Sequence, residues 1–201
     1  MLLSLLFQSP VVFIVLTVSL ILSLSVHEFA HAFVADKLGD PTPRLLGRVT
    51  LNPLAHLDPL GSLLLIVAGF GWGRPVSFNP NNLTNPKRDT ALIAFAGPFS
   101  NFVVATLCAG IIHLLDSGTF IGGVLYWVVF YNLVLGFFNL IPVFPLDGFK
   151  VAQGILPKNL AYQWEQMGRY GIYILLLLIL TQTIGKIVMP ALSFALSILR
   201  L

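Results

Sequence analysis

The first 26 residues of this chain carry no charged side chain, and this absence limits the folds that the chain can adopt. Only 9% of its 201 residues are Asp, Glu, Lys or Arg, whereas 57% are hydrophobic. A soluble domain usually contains about 25% charged residues, so this chain has too little polar surface for a fold in water. Apolar runs of about 20 residues can cross a bilayer as helices. The composition therefore predicts a polytopic membrane protein.

Four apolar sections follow one another along the chain. They cover about residues 11–35, 91–115, 120–141 and 170–201. Proline- and glycine-containing stretches or a short DSGT turn separate them, and such residues end helices. The last section is interrupted by Gly185, Lys186 and Pro190, so it is either one span with a short interfacial helix or two short segments. We therefore predict an all-α membrane protein with about four transmembrane helices.

The section between the first two spans differs from the rest of the chain. Residues 45–88 are rich in Gly, Pro and Asn, and their one apolar run, residues 62–70, is too short to cross a membrane. Non-helical backbone at membrane depth is tolerated only against protein or a water-filled cavity. We expect a re-entrant segment that lines such a cavity, and a β-hairpin is one form that it can take.

Basic residues are concentrated in two loops. Nine of the eleven Lys and Arg residues follow the first or the third span. If the spans alternate in direction, these loops share one side, which the positive-inside rule makes cytoplasmic. The N-terminus and the DSGT turn would then face outward. Aspartates of the basic loops, such as Asp40 and Asp89, are expected at the surface. A formal charge of +3 without a basic patch predicts no nucleic-acid partner.

The first charged residue of the chain stands inside the first predicted span. Glu28 lies between His27 and His31 in the sequence HEFAH. Residues four apart share one face of a helix, so both imidazoles can bind one ion. In H-E-x-x-H motifs the histidines bind zinc and the glutamate is the general base that takes a proton from the attacking water. Two locally bonded histidines are the alternative, but ionisable residues inside a span are costly and are functional by default.

A catalytic zinc site needs a third protein ligand. Asp147 lies at the end of the third span, on the same side as the end of the first, where Pro142 and Pro145 break the helix. Its alternative role is to cap the following helix. His56 and Asp58 in the re-entrant section are rival ligands, and His56 is otherwise a structural or substrate-facing residue. We favour Asp147 over these two residues as the third ligand because of the depth and the side of the membrane at which Asp147 lies.

Two asparagines also stand out within the apolar sections. Asn101 lies in the second span, and Asn139 lies near the end of the third. An amide surrounded by lipid needs hydrogen-bond partners, so the simplest interpretation is an interhelical hydrogen bond. The functional alternative is a donor to the oxyanion that develops in the transition state.

Three motifs together resemble the site-2 protease family of intramembrane zinc metalloproteases. They are HEFAH in the first span, AGPFSN in the second and FNLIPVFPLDG at the end of the third. The section NPLAHLDPLGSLLL…GFGWGRPVSFNP is similar to the re-entrant segment of minimal members. The resemblance covers about residues 11–150 in order, and the combination of motifs is highly specific.

The resemblance implies a complete catalytic set. His27, His31 and Asp147 would hold one Zn²⁺ per chain, and Glu28 would be the base. Asn139 would assist near the metal, and the asparagine of AGPFSN would belong to the set around the active site. Bound substrate would have to unwind locally, and an edge strand of the re-entrant segment could hold it extended.

The resemblance also implies an activity and a place in the cell. The chain would be one intramembrane metalloprotease domain, residues 1–201, with its core at about 11–150 and C-terminal membrane segments at 170–201. It would lack the PDZ and nucleotide-sensing domains of other members. Its expected partners are the lipid bilayer and a transmembrane protein substrate, cut in the cell membrane by a site that opens toward the cytoplasm. The alternatives are a divalent-metal transporter and a catalytically inactive membrane-protein binder.

Overall fold

The computed structural model describes residues 2–68, 71–115 and 119–201, and most of them are helical. The α-helices are α1 (Leu2–Gln8), α2 (Pro10–Lys37), α3 (Thr42–Leu45), α4 (Pro59–Ala68), α5 (Pro86–Leu114), α6 (Phe120–Asn139), α7 (Asp147–Ile155), α8 (Lys158–Met167), α9 (Gly171–Leu180) and α10 (Thr183–Leu199). Short 3-10 turns lie at Pro53–Ala55, Pro80–Asn82 and Gly168–Tyr170. The described residues contain no β-strand; one isolated antiparallel bridge joins Leu57 to Gly73.

Three helices of the described chain are long and apolar enough to cross a membrane, namely α2, α5 and α6. The helical run through α8 and α9, together with α10, adds a fourth candidate span that is bent by 75°. The predicted all-α, multi-pass architecture is therefore confirmed. Most of the predicted DSGT turn, residues 116–118, lies outside the described residues.

Helix α5 begins five residues before its apolar section, at Pro86 rather than at about residue 91. Proline suits this position because its fixed φ matches the first helical turn. The Asp89 carboxylate then accepts a hydrogen bond from the backbone N–H of Asn85 at 2.8 Å. Asp89 is only 5% exposed, so the expectation that it lies at the surface is wrong. A search for apolar runs does not detect charged residues that bind backbone groups at the start of a helix.

Small residues let α2, α5 and α6 pack closely. Ala105 and Ala109 of α5 are buried against Val129 of α6. A Cβ atom on Gly136 of α6 would lie 2.7 Å from the Phe102 ring of α5, so any larger residue there would displace the ring. In apolar surroundings such small residues allow the van der Waals contact that holds helices together. The three helices therefore form a compact bundle that positions residues far apart in sequence.

Helix α10 runs along α6 in the opposite direction. Val188 near its start packs with Ile141, just after the end of α6. Near its other end, the Leu199 carbonyl accepts a hydrogen bond from the His113 ring at the end of α5, 2.7 Å away. The sequence places the interruption of this section at Gly185, Lys186 and Pro190, but all three lie within α10, so that position is wrong. The chain bends instead between α9 and α10, at residues 181–182.

The predicted re-entrant section contains the short helix α4, followed by a stretch without helix or strand at residues 71–79. The two lie in direct contact, since a Cβ atom on Gly61 would be 2.1 Å from the Trp72 carbonyl oxygen. The β-hairpin form is not confirmed. Residues 69 and 70, at the end of the predicted apolar run, lie outside the described residues.

A buried carboxylate attaches this section to the end of α2. Asp40 accepts hydrogen bonds from the Thr42 backbone and hydroxyl, the Asn82 amide and the Asn79 backbone N–H, at 2.6–3.1 Å. Its side chain is fully buried, so the expectation of a surface group is wrong. Burial alone would raise the pKa of Asp40, but these donors outweigh it and hold the pKa below its usual value.

A buried cation connects two parts of the same section. The Arg48 guanidinium donates to the backbone carbonyl of Ala55 and, at 2.9 Å each, to those of Arg74 and Pro75. Arg48 is 6% exposed, and burial lowers the pKa of its guanidinium. The Arg48 side chain thus reaches between two irregular segments and supplies a donor to carbonyls of both.

Candidate metal centre and active site

The three predicted metal ligands converge on one point. The Nε2 atoms of His27 and His31 lie 3.0 Å apart, and Oδ2 of Asp147 lies 3.1 Å from the first and 3.2 Å from the second. Ligand atoms at tetrahedral positions, each about 2.0–2.1 Å from a zinc ion, would be separated by about 3.3 Å. The spacing therefore suits three ligands of one zinc ion.

The partners of the two rings fix their tautomers. Nδ1 of His27 donates to Oδ1 of Asn101 at 2.6 Å, and Nδ1 of His31 donates to the Ile93 carbonyl at 2.7 Å. A neutral imidazole with its proton on Nδ1 has its lone pair on Nε2. Two lone pairs and a carboxylate oxygen therefore face one another, an arrangement that repels unless a cation lies between them. Two imidazoles and a carboxylate form a donor set that suits zinc.

Asp147 reaches the histidines because α7 begins there. Leu146, and not Asp147, occupies the N-cap position of α7, and Asp147 is the first residue of the helix. The Asp147 carboxylate lies against the two histidine rings, so the structure does not show its alternative role as a helix cap. The next residue, Gly148, packs directly on the end of α6, where an added Cβ would lie 2.2 Å from the Leu140 carbonyl oxygen. This contact brings the start of α7 against the bundle and directs the carboxylate toward α2.

Gly97 is a site residue that the sequence patterns did not single out, although it belongs to the AGPFSN motif. A Cβ atom at Gly97 would lie 2.4 Å from Nε2 of His31 and 2.7 Å from Cε1 of His27. Only glycine therefore leaves room for both rings against α5. Asn101, about one turn later on the same helix, binds the His27 ring. The sequence feature that could have indicated Gly97 is its place about one helical turn before an asparagine in an apolar section.

A cavity of about 640 Å³ opens onto the three ligands. Its walls come from α2, α4, α5, α6, the start of α7 and residues 71–78, and they are mainly apolar, as at Leu24 and Phe138. Glu28 also lines the cavity, and its Oε2 accepts a hydrogen bond from the Val76 backbone N–H at 3.2 Å. The stretch after α4 is therefore in direct contact with the predicted base.

Asn101 and Asn139 occupy different places relative to the cavity. Asn139 lines the cavity, and its amide nitrogen donates to the Leu135 carbonyl at 3.0 Å. Asn101 is fully buried and binds the outer side of the His27 ring, away from the metal position. Its amide nitrogen contacts Asn132 of α6, a residue that the sequence motifs did not reveal, at 2.7 Å. Asn101 therefore makes the interhelical hydrogen bond of the simpler interpretation and also binds a candidate ligand, His27.

The two rival ligands have other partners. His56 is fully buried; its Nε2 donates to the Thr50 carbonyl at 2.8 Å, and it is not among the described residues that line the cavity. The Asp58 carboxylate accepts the backbone N–H of Gly61 at 2.8 Å, in the first turn of α4. Neither residue joins the group of three ligand atoms.

Comparison with known proteins gives one family throughout. The model of peptidase family M50 matches residues 113–180, which include Asp147. The Bacillus subtilis protein named "Putative zinc metalloprotease YwhC" is 37% identical over 188 residues, 89% of this chain and 85% of that protein. "Putative zinc metalloprotease Rip2" of Mycolicibacterium smegmatis is 29% identical over 184 residues, 87% of this chain and 70% of that protein.

An archaeal relative matches only in part of its length. "Zinc metalloprotease MJ0392" of Methanocaldococcus jannaschii is 32% identical over 157 residues, 76% of this chain and 36% of that protein. No solved structure matches the chain significantly. The similarity to the Bacillus protein covers most of both chains and includes the segments that hold all three candidate ligands. The chain therefore belongs to the site-2 protease family of zinc metalloproteases, peptidase family M50.

Proposed function

We propose that this chain is an intramembrane protease that hydrolyses peptide bonds within or near the transmembrane segments of other membrane proteins. One observation carries the proposal. Three ligand atoms 3.0–3.2 Å apart share a mainly apolar cavity with Glu28, and the two histidines lie inside a helix long enough to cross a membrane. A soluble substrate would not require a site at this depth.

His27, His31 and Asp147 would hold one zinc ion per chain. Zinc bound by such a set acts as a Lewis acid and makes water nucleophilic near neutral pH. His27 lies ten residues before the end of α2, which corresponds to about 15 Å along the helix. Water would therefore reach the ligands through the cavity and not directly from the surface.

Glu28 would act as general base. It would take a proton from the attacking water and return that proton to the amine that leaves. Its position beside His27 supports this role, because the carboxylate lines the same cavity as the ligands. Asn139 lies on the cavity wall and is the candidate donor to the oxyanion of the transition state.

Residues 71–78 would hold the substrate in an extended form beside Glu28. The Val76 backbone contacts the base, and this stretch lies on the cavity wall without belonging to a helix. A substrate helix must lose its own hydrogen bonds before its carbonyls can react, and pairing with extended backbone would replace them. The section around α4 would be re-entrant, since ten residues of helix span only about 15 Å.

The proposal includes the extent of the domain and its orientation in the membrane. Residues 1–201 would form one domain with a core at about 11–150. The N-terminus would face outward and the cavity would open toward the cytoplasm. Lys150 on the cavity wall and Arg48 beside the loop both belong to the basic loops, which supports this orientation.

The proposal is tested by comparing wild type with Glu28→Gln, purified in detergent, for bound zinc and for cleavage of single-span substrates. We expect about one zinc per chain in both forms. Cleavage should fall by about 10²–10⁴-fold in the variant, because general-base catalysis contributes that much.

His31→Ala is the control that should lose the metal. Absence of zinc from wild type would contradict the ligand assignment. Zinc binding with metal flux into liposomes and no cleavage would instead indicate a transporter. Zinc binding with neither flux nor cleavage would indicate an inactive binder.

A further inference from the structure

A continuous chain of polar side chains leads from α2 through α6 and α5 to the His27 ring. The Ser23 hydroxyl donates to the Ser19 carbonyl, the Asn132 amide donates to the Ser23 hydroxyl, and the Asn101 amide donates to Oδ1 of Asn132, each at 2.7 Å. Oδ1 of Asn101 accepts from His27 Nδ1 at 2.6 Å. We call these contacts the amide relay.

The amide relay is isolated from water and from the cavity. Asn101 and Asn132 are fully buried, Ser19 and Ser23 are 1% exposed, and none of the four lines the cavity. Burying an amide costs free energy unless its donors and acceptors are paired. Helices packed only for stability would need no such groups here, so the relay calls for an explanation beyond packing.

Backbone carbonyls fix the direction of the relay. The Asn132 nitrogen also donates to the Val128 carbonyl at 2.8 Å, and the Asn101 nitrogen also donates to the Ser23 carbonyl at 3.2 Å. A carbonyl accepts only from the nitrogen end of an amide. Each amide therefore points its oxygen toward the site, and the oxygen of Asn101 can bind His27 only if that ring carries its proton on Nδ1.

The two histidines differ in how they are held. His31 donates to the Ile93 carbonyl, a backbone group that cannot turn around. His27 depends on a side-chain amide, which can rotate and offer its NH₂ group to Nδ1. That rotation would favour the other tautomer and place an N–H on Nε2, the atom that faces Asp147. The relay is what opposes the rotation.

We propose that Asn132, supported by Ser23, is a positioning residue of the metal site. It holds the Asn101 amide in the one orientation that directs the Nε2 lone pair of His27 at the metal. This inference rests on the proposed function, because it takes His27 as a ligand. It assigns a role to a residue 105 positions away in sequence that contacts neither the ligand atoms nor the cavity.

The test is the zinc affinity of the full chain in detergent, measured by competition with a chelator of known affinity. Asn132→Leu keeps the approximate volume but removes both ends of the amide. We expect its zinc affinity to fall by about 10–100-fold, the usual effect of losing a residue that orients a metal ligand. With cobalt in place of zinc, the visible absorption bands should shift, because the His27 ring is no longer held.

Val129→Ala is the matched control. Val129 is fully buried in the same helix, one turn before Asn132, and belongs to an apolar core cluster. Its loss should lower the melting temperature but leave zinc affinity and the cobalt spectrum at wild-type values. Equal losses of affinity in the two variants would overturn the proposal, since the effect would then reflect general destabilisation.

Ser23→Ala keeps the proposal testable if Asn132→Leu does not fold. The Asn132 nitrogen retains the Val128 carbonyl in that variant, so the loss of affinity should lie at the lower end of the same range. Wild-type affinity in both relay variants, with His31→Ala losing zinc, would overturn the relay and leave the ligand assignment intact. Failure of wild type to bind zinc would overturn both.

Discussion

Buried polar groups serve different purposes in the helical bundle and in the section between α2 and α5. In the bundle, the amide relay consists of neutral side chains that bind one another and end at His27. In the connecting section, two of the buried groups carry full charges. Arg48 donates to three backbone carbonyls, and Asp40 accepts from two backbone N–H groups and two side chains.

The backbone explains this difference. Inside a helix each backbone N–H is already paired, and a carbonyl has only one lone pair left to accept a second bond. Buried side chains of the bundle therefore bind one another and the remaining lone pairs of helix carbonyls. Irregular segments leave backbone groups unpaired, and a buried charge can satisfy several of them at once. Buried polar residues of the bundle can therefore orient the side chains of the candidate site, whereas those of the connecting section determine the shape of a loop beside Glu28.

The largest effect is expected from Gly97→Ala. The added methyl group would overlap Nε2 of His31 and crowd the His27 ring, so both rings must move. Zinc affinity should fall by about 100-fold or more, beyond the effect of losing an orienting residue, because the ligands themselves are displaced. Zinc content after purification and chelator competition measure this loss.

Gly110→Ala is the control for that substitution. Gly110 lies on the same helix, and nothing lies within 4 Å of a Cβ atom added there. Zinc binding should be unchanged, and replacing a helical glycine by alanine should, if anything, stabilise the helix. Equal zinc binding in the two glycine variants would show that the rings do not need the space at Gly97.

A smaller effect, of another kind, is expected from Arg48→Met. The variant leaves the carbonyls of Ala55, Arg74 and Pro75 without their donor, so residues 74–76 are no longer held beside Glu28. Cleavage should fall about tenfold, equivalent to about 1.4 kcal/mol, while bound zinc stays at the wild-type level. Parallel assays of cleavage and zinc content separate the loop from the metal site.

Arg44→Met is the matched control for Arg48. Its side chain is 67% exposed and pairs only with Asp36 among the described contacts. The Asp36 side chain that it leaves is only 6% exposed, so we expect a small loss of stability, but little change in cleavage or bound zinc. If Arg48→Met lost zinc as well as activity, the distinction between a shape-determining loop and a ligand-directing bundle would fail.

The smallest effect on activity is expected from Asp40→Asn, which should act on stability. Both carboxylate oxygens of Asp40 accept hydrogen bonds, and in the variant one of them becomes an NH₂ group, which cannot accept any. The bonds that remain also lose the strength that the negative charge gives them. Loss of such bonds costs about 1–3 kcal/mol. Thermal unfolding in detergent at neutral pH measures the difference from wild type.

The pH dependence of that difference identifies the carboxylate. The pKa of Asp40 is lowered in the folded chain, so its stabilising effect is fully present above the unfolded value of about 3.9 and is lost as the pH falls through the lower folded value. The gap in melting temperature between wild type and Asp40→Asn should therefore be constant above about pH 5 and narrow below about pH 4. A gap independent of pH would contradict this origin.

Much of the fold, and the two histidines with Glu28, were predictable because they depend on local sequence, whereas Asp147 was predicted from its place at the end of the third span and from its motif. Apolar length located the spans, and four-residue spacing placed His27 and His31 on one helix face with Glu28 beside them. The start of α5 was missed because Asp89 is charged. Asp40 was misjudged because two of its four donors, from Asn79 and Asn82, lie about 40 residues away. Composition cannot show that a charge has found enough partners to be buried.

The sequence by itself determined the membrane class, the helical spans and the ligand pair on α2, because hydropathy and helical periodicity act over a few turns of chain. Only the tertiary structure decided that Asp147 lies 3.2 Å from a histidine 116 residues away. The same holds for the space that Gly97 leaves for two rings and for the direction of the amide relay through Asn132. These features depend on how closely α2, α5, α6 and α7 approach one another, and that distance is set by packing between segments remote in sequence.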